Sequence, residues 1–482
     1  MMFIAKNTRG NTDPLSSADP LTGESDSAAT DWLAPTWHDP LGATVHLPGS
    51  KSLTNRELIL AALANGESTL VAPLKSRDSE LMIAGLKSLG VAFSEETDPV
   101  SGVLEVRVTP PAELTGSTSV HCGLAGTVMR FLPPVAALAL GPTAFDGDPY
   151  ARKRPMAPII AALRELGVDI SDDGRGALPF TVHGFGEVAG GSIEIDASSS
   201  SQFVSGLLLA AARFRDGITV THRGESLPSL PHIEMTLQVL AEHGVTASSP
   251  APGKWTVEPS KIAARRVVIE PDLSNAAPFL AAALVCGGSV SIPNWPAETT
   301  QVGDQLRKIM PEFGAEVSLE NGTLTVSGSG EIRPVNLHLS HAGELAPTLI
   351  GLAALADGTS KITGIGHIRH HETDRIAALV TELNRLGGNA SELPDGIQID
   401  PAQLHGGTWQ SYADHRMATT GALLGLRVPD VTVQDIGCTT KTLPNFTELW
   451  GQLLQAPSNS GVGGSTPQST VGPGSLPAIF GV

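Results

Sequence analysis

Aromatic side chains make up only 4% of this chain and charged ones only 17%, although it runs to 482 residues. A core short of rings must be filled by small aliphatic side chains, and 52 Gly with 36 Pro imply many tight turns. Basic charge is scarce. The 31 Lys and Arg face 49 Asp and Glu, a net charge of −18, which argues against nucleic acid or an anionic membrane as a bulk partner. Cysteine is nearly absent. Cys122, Cys286 and Cys438 lie in apolar or Gly-rich surroundings, their spacing suggests no metal site, and an odd count suits a reducing compartment. No charged start followed by an apolar core marks a signal peptide, and no apolar run is long enough to span a bilayer. The expected location is cytoplasmic, with no metal and no cofactor.

The chain is too long for one ordinary core, so two large domains are expected. Residues 1–33 are rich in Ser, Thr, Asp and Gly and read as a disordered leader; residues 456–482 are a low-complexity tail of Gly, Ser, Pro and Thr. Between them one unit recurs. An apolar helical face runs into Gly and then a strand in "LKSLGVAFS", "ALRELGVDI", "LQVLAEHGVTAS", "IMPEFGAEVS" and "LNRLGGNAS". A second strand soon follows, as in "VLEVRV", "WTVEP", "TLTVSG" or "GIQID". Helix, Gly, hairpin, repeated at least five times, predicts pseudo-symmetric α/β domains with mixed sheets around helices. No Gly-x-Gly-x-x-Gly follows a strand, and no phosphate loop of the nucleotide-hydrolase kind occurs.

The chemistry concentrates in a few segments. In Leu47-Pro48-Gly49-Ser50-Lys51-Ser52-Leu53-Thr54-Asn55-Arg56 a Pro-Gly turn opens a helix whose first residues are Ser50, Lys51 and Ser52. Free N–H groups, hydroxyls and the helix dipole suit an anion there, with Lys51 as a point charge and Arg56 as a planar fork. An ordinary N-cap with surface cations fits the same residues. Gly126, in a second Gly-rich turn before a helix, lets backbone approach a ligand or simply tightens the helix start. Of the cations Arg152, Lys153 and Arg154, the last is fixed by Pro155 and is expected to point inward. Ser199, Ser200, Ser201 and Gln202 offer a phosphate site or a plain cap. His371, Glu372 and Arg375 share a face if helical, as acid/base machinery or as a surface ion pair. Asp414-His415-Arg416 and Thr440-Lys441-Thr442 add cations beside apolar segments.

Taken in order, P-G-S-K-S-x-T-N-R, A-G-T-x-M-R, K-R-P, S-S-Q-F, H-E-T-D-R, D-H-R-M and T-K-T-L-P resemble the 5-enolpyruvylshikimate-3-phosphate synthase family, over about residues 36–455. "HCGLAGTVMRF", "SSSQFVSGLLL" and "HETDRIAAL" are most similar to its actinobacterial branch. The resemblance implies two pseudo-symmetric domains, each of three βαβαββ units: one discontinuous, 34–48 plus 270–455, the other inserted, 49–269. It implies transfer of the enolpyruvyl group of phosphoenolpyruvate to the 5-hydroxyl of shikimate 3-phosphate by addition and elimination, in aromatic amino-acid biosynthesis. The small-molecule substrates are the only partners it implies, the enzyme being a monomer whose halves close on substrate.

Residue by residue, it implies that Lys51, Ser52, Arg56, Ser200, Ser201, Gln202, Ser229, Glu344 and His371 hold shikimate 3-phosphate. Lys51, Gly126, Arg154, Gln202, Arg375, Arg416 and Lys441 would meet phosphoenolpyruvate. Glu344, Glu372 and Lys51 would be catalytic. Gly126 also implies sensitivity to glyphosate, which occupies the phosphoenolpyruvate site in sensitive members. The chain departs from the commonest bacterial pattern: Glu344 stands for a frequent Asp, His371 for Lys, His367 for Asn, His232 for Tyr and Leu124 for Asn. A histidine at 371 is expected to titrate near neutrality. The alternatives are the sister transferase acting on UDP-N-acetylglucosamine, whose usual loop carries a reactive Cys that the segment Asp148–Arg154 lacks, and an inactive anion-binding scaffold.

Overall fold

A computed structural model describes the chain from residue 31 to 455, apart from 225, 226 and 228. Most of the leader and all of the tail anticipated from composition lie outside the described residues.

Among the described residues, five four-stranded sheets share one topology: a parallel pair, then two antiparallel neighbours that form a hairpin. Strand Thr118–His121, helix Gly126–Ala136, strand Leu140–Asp146, helix Ala157–Glu165 and the hairpin Asp169–Ser171/Phe180–Phe185 make one complete βαβαββ unit. The same order recurs from Gly191 to Val257 and from Asn336 to Asp400. Two units borrow their first strand from a distant place. Arg266–Val268 runs parallel to Ser68–Val71, and Leu41–Thr44 runs parallel to Gly288–Pro293. The borrowing follows from two chain crossings that lie side by side: Ser50 N donates to Glu270 O at 2.7 Å, and Asp272 N donates to Pro48 O at 2.9 Å. Among the described residues the sixth unit has no hairpin. Its sheet is completed by Trp32–Leu33, which pair with Val433 and Thr432. The disorder expected through residue 33 is therefore corrected at these two residues. An edge strand some 400 positions away in sequence offered them a ladder that local composition does not reveal.

The glycine at each of the five anticipated helix ends has positive φ, from +74° at Gly244 to +102° at Gly314, which lets the chain reverse into its hairpin without a Cβ penalty. Among the described residues, six helices are buried along nearly their whole length: Lys51–Leu63, Gly126–Ala136 and Gln202–Ala211 in one half, and Ala276–Cys286, Ala346–Ala353 and His415–Gly425 in the other. They are rich in Ala, Leu, Val and Gly, as a core poor in rings requires. Two separate hydrophobic cores result. One gathers residues 58–269; the other gathers 34–45 with 273–454.

Candidate active site

All six buried helices begin at one cleft between the two halves. Its walls include Ser52, Thr127 and Gln202 from the helix starts of one half, and Ser274, Glu344 and Arg416 from those of the other. Each N-terminus brings a partial positive charge, so the convergence favours anions before any side chain is counted. Two starts leave their hydroxyls available. Ser201 and Ser229 occupy N-cap positions without making a side-chain capping bond. Ser50, in contrast, caps its helix by accepting from Leu53 N at 3.4 Å.

The halves touch through site residues. Lys441 Nζ lies 2.5 Å from Glu372 Oε1 and 3.4 Å from the Leu124 carbonyl of the opposite half. His232 and Glu344 face each other across the cleft at 3.6 Å, an ion-pair distance. Lys51 N donates to Asp272 at 3.1 Å. Arg154 is buried, as its neighbouring proline suggested, and donates to Leu124 O at 3.0 Å; Arg152 is spent on Asp146 at the surface. Gly126 sits where a Cβ would lie 2.9 Å from Gln202 Oε1, 3.1 Å from Arg130 Nη1 and 3.2 Å from Arg154 Nη2. Gln202 Oε1 and Arg154 Nε are buried without a hydrogen-bond partner among the described residues, two polar atoms that a ligand would satisfy.

His371, Glu372 and Arg375 do meet, but not on one helical face. The helix starts at Arg375, capped by Asp374, and His371 and Glu372 reach it from the chain before that cap. Arg375 lies 2.9 Å from both His371 Nδ1 and Glu372 Oε2, and its other edge grips Asp414 at 2.7 and 3.0 Å. Arg56 is placed differently from a free phosphate fork. Its guanidinium donates to Thr236 Oγ1, Ser52 O, Ser205 Oγ and His232 O, so it mainly fastens its own helix to the one beginning at Leu230.

These surroundings set the charge states. Burial works to neutralise Glu344, but His232, Arg416 and a 2.6 Å hydrogen bond from Ser274 outweigh it and hold the carboxyl well below the usual range. Burial likewise opposes the charge on Glu372, while Lys441, Arg375 and Arg154 drive it far down. Burial lowers the Lys51 ammonium; Asp78 resists, and Lys441 adds to the lowering. Burial, then the Arg375 charge, pushes the His371 imidazole well below its ordinary value, so the expected titration near neutrality is corrected. Sequence alone does not show that this imidazole is enclosed beside Arg375.

The cleft thus collects Lys51, Ser52, Arg56, Arg154, Ser200, Ser201, Gln202, Ser229, Glu344, His371, Glu372, Arg375 and Arg416 in its lining. Gly126 and Lys441 stand just behind, through the contacts above. Arg130, His415, Asp414 and Ser274 belong with them but were not singled out. The first three lie inside quoted motifs, which was the available signal. Ser274 had none, because its value comes from Glu344, 70 positions away.

The family model for EPSP synthase (3-phosphoshikimate 1-carboxyvinyltransferase) matches residues 36–450. A 3-phosphoshikimate 1-carboxyvinyltransferase of Kocuria rhizophila is 55% identical over 428 residues, covering 88% of this chain and 96% of that protein. Among solved structures, EPSP synthase from Acinetobacter baumannii superposes with a TM-score of 0.70 at 23% identity, over 88% of this chain and 98% of its own. The enolpyruvyl transferase NikO from Streptomyces tendae gives 0.69 at 17% identity, with the same coverage. At those identities the two structures speak for the fold alone, which is that of the enolpyruvyl transferases in two pseudo-symmetric halves.

Proposed function

Since the chain belongs to the EPSP synthase (3-phosphoshikimate 1-carboxyvinyltransferase) family, an enolpyruvyl transferase of the shikimate pathway, we propose which of its residues hold each substrate and move each proton. The observation that carries the assignment is the meeting of Lys51 and Arg154 from one half with Arg375, Arg416 and Lys441 from the other, around Glu344 and Glu372. Two substrates that bring two phosphates and two carboxylates need such a set, and an acidic protein must gather it from distant segments.

Shikimate 3-phosphate lies against Lys51, Ser52, Ser200, Ser201, Gln202 and Ser229, with Arg56 bracing them. Phosphoenolpyruvate lies between Gly126, Arg154, Gln202, Arg375, Arg416 and Lys441. Glu344, already ionised, accepts the proton of the 5-hydroxyl as its oxygen bonds to C2 of phosphoenolpyruvate. C3 takes a proton, giving a tetrahedral intermediate. Loss of a proton from that methyl group then expels phosphate and restores the double bond. Glu372 suits the steps at carbon. Its pKa is depressed by Lys441 and Arg375, so an incoming anion that shares those cations raises it toward a working value. Lys51, its ammonium destabilised by burial, is the second proton carrier. The cations stabilise the departing phosphate.

The crossings at 48–50 and 270–272 are the hinge between domains 34–48 plus 270–455 and 49–269, supported by the two separate cores. Among the described residues no helix is long and apolar enough to cross a membrane. Free Cys122, Cys286 and Cys438 suit a monomer in a reducing cytoplasm. The deciding assay is phosphate release from phosphoenolpyruvate. It should require shikimate 3-phosphate, and dependence on a UDP-amino sugar instead would overturn the reading.

A further inference from the structure

The segment leading into Asp414 contains a conformation that the substrate contacts do not account for. Tyr412 and Ala413 both stand in the left-handed region, at φ +56° and +54°, and neither is glycine. Two such residues in succession persist only where their surroundings over-determine them.

The surroundings are specific. Glu382, fully buried, accepts from the Tyr412 hydroxyl at 2.6 Å, from Gln410 N at 3.0 Å and from Arg385 Nη1 at 2.7 Å. Burial, and then the bond to Glu382, push the Tyr412 phenol up to about 12, so it stays a donor. On the far side of the turn, Asp414 accepts from Arg375 Nε and Nη2 and caps the next helix by accepting from Arg416 N at 2.9 Å. Arg375 and Glu382 belong to the same helix, Arg375–Arg385, about two turns apart. That helix is therefore stitched to the segment 410–416 at two places, and the strained turn spans the gap between the stitches.

We propose that Tyr412 and Glu382 are positioning residues that hold this turn, and through it fix Arg375 and Arg416 at the spacing that phosphoenolpyruvate requires. The proposal rests on the functional reading above and goes beyond its list of contacts. Guanidinium forks recognise phosphate and carboxylate directionally, so a small rotation of Asp414 would misalign both at once. Shikimate 3-phosphate is held mainly by the other half, so the consequence is selective.

Steady-state kinetics of Tyr412→Phe tests this. The KM for phosphoenolpyruvate should rise about five- to tenfold, with the KM for shikimate 3-phosphate within about twofold of wild type. Glu382→Gln should shift the same constant in the same direction. In the Tyr412→Phe background, Ala413→Gly should restore most of the lost affinity, because glycine takes the left-handed conformation unaided. An unchanged KM for phosphoenolpyruvate, an equal rise for both substrates, or failure of the glycine to restore binding would each overturn the proposal. Wild-type protein that releases no phosphate overturns the functional reading and this inference with it. Normal wild-type turnover beside an indifferent Tyr412→Phe overturns this inference alone.

Discussion

His371 Nδ1 lies 2.9 Å from Arg375 Nη1, and a guanidinium can only donate, so the imidazole accepts there and carries its proton on Nε2. The site therefore contains a neutral histidine where the commoner family pattern has a permanent cation, and its remaining N–H makes no hydrogen bond among the described residues.

A pH prediction follows from that relationship. His371 and His415 are pushed well below the ordinary imidazole value, and His367 is lowered to about 4, by burial first and neighbouring positive charge second. Below about 6.5 the unfolded chain binds protons that these folded imidazoles refuse, so stability falls as pH falls, from the ordinary imidazole value downward. Glu344 and Glu372 add loss at lower pH, because their folded pKa values are depressed and their contribution disappears as they are protonated. Urea midpoints measured from pH 7.5 to 4.5 should decline from about 6.5. In His367→Asn the early part of that decline should shrink. A flat profile down to pH 5 would show that the three imidazoles are solvated.

The two carboxylates should separate from binding. Glu344→Ala removes an ionised group that faces His232 and accepts from Ser274. Turnover should drop roughly a hundredfold or more, the scale of a lost acid/base group, while calorimetry still registers shikimate 3-phosphate. Normal turnover in this variant would remove Glu344 from the proton route.

Much of this was readable from the chain itself, for physical reasons that differ by element. The helix–Gly–hairpin unit is local: a positive-φ residue at the end of an apolar helix needs glycine, and Gly90, Gly167, Gly244, Gly314 and Gly387 all meet that need. The site segments were also legible, because each combines a helix start with a hydroxyl or a cation. What sequence could not supply were relationships across long distances. Trp32–Leu33 form a strand only because Val433 waits for them. Arg56 looks like a free fork until Thr236, Ser205 and His232 surround it. His371 looks titratable until burial and Arg375 are added.

Closure should be driven by ligand charge. Lys441 reaches the Leu124 carbonyl, and His232 faces Glu344, so the structure has the halves in contact. Cations supplied by both halves repel one another when no anion lies between them, which favours a more open form. Shikimate 3-phosphate should bridge them, since a ligand shifts such an equilibrium only through contacts that differ between states. Small-angle scattering should give a smaller radius of gyration with saturating ligand. An unchanged radius would mean that the free protein is already closed.

The space at Gly126 should decide how glyphosate binds. An added methyl there would lie 2.9 Å from Gln202 Oε1, closer than a real Cβ tolerates, and 3.1–3.2 Å from the guanidinium nitrogens of Arg130 and Arg154. The first obstacle is the far end of a flexible side chain, so Gly126→Ala should fold. Gln202 and Arg154 must nevertheless give way, and both face the proposed phosphoenolpyruvate position. Glyphosate is the longer molecule and depends on the same cations, so it loses more from that displacement than phosphoenolpyruvate does. The wild-type enzyme should be inhibited competitively with phosphoenolpyruvate, and only when shikimate 3-phosphate is bound. Gly126→Ala should raise the inhibition constant by about tenfold or more, the scale on which a misplaced methyl group discriminates in a packed site, with a smaller rise in the KM for phosphoenolpyruvate. Leu124 is the counterweight, because its carbonyl accepts from both Arg154 and Lys441 and fixes the turn just before Gly126. If wild-type turnover is indifferent to glyphosate at about millimolar concentration, the weak end of useful affinity, the clearance at Gly126 does not govern inhibitor binding in this enzyme.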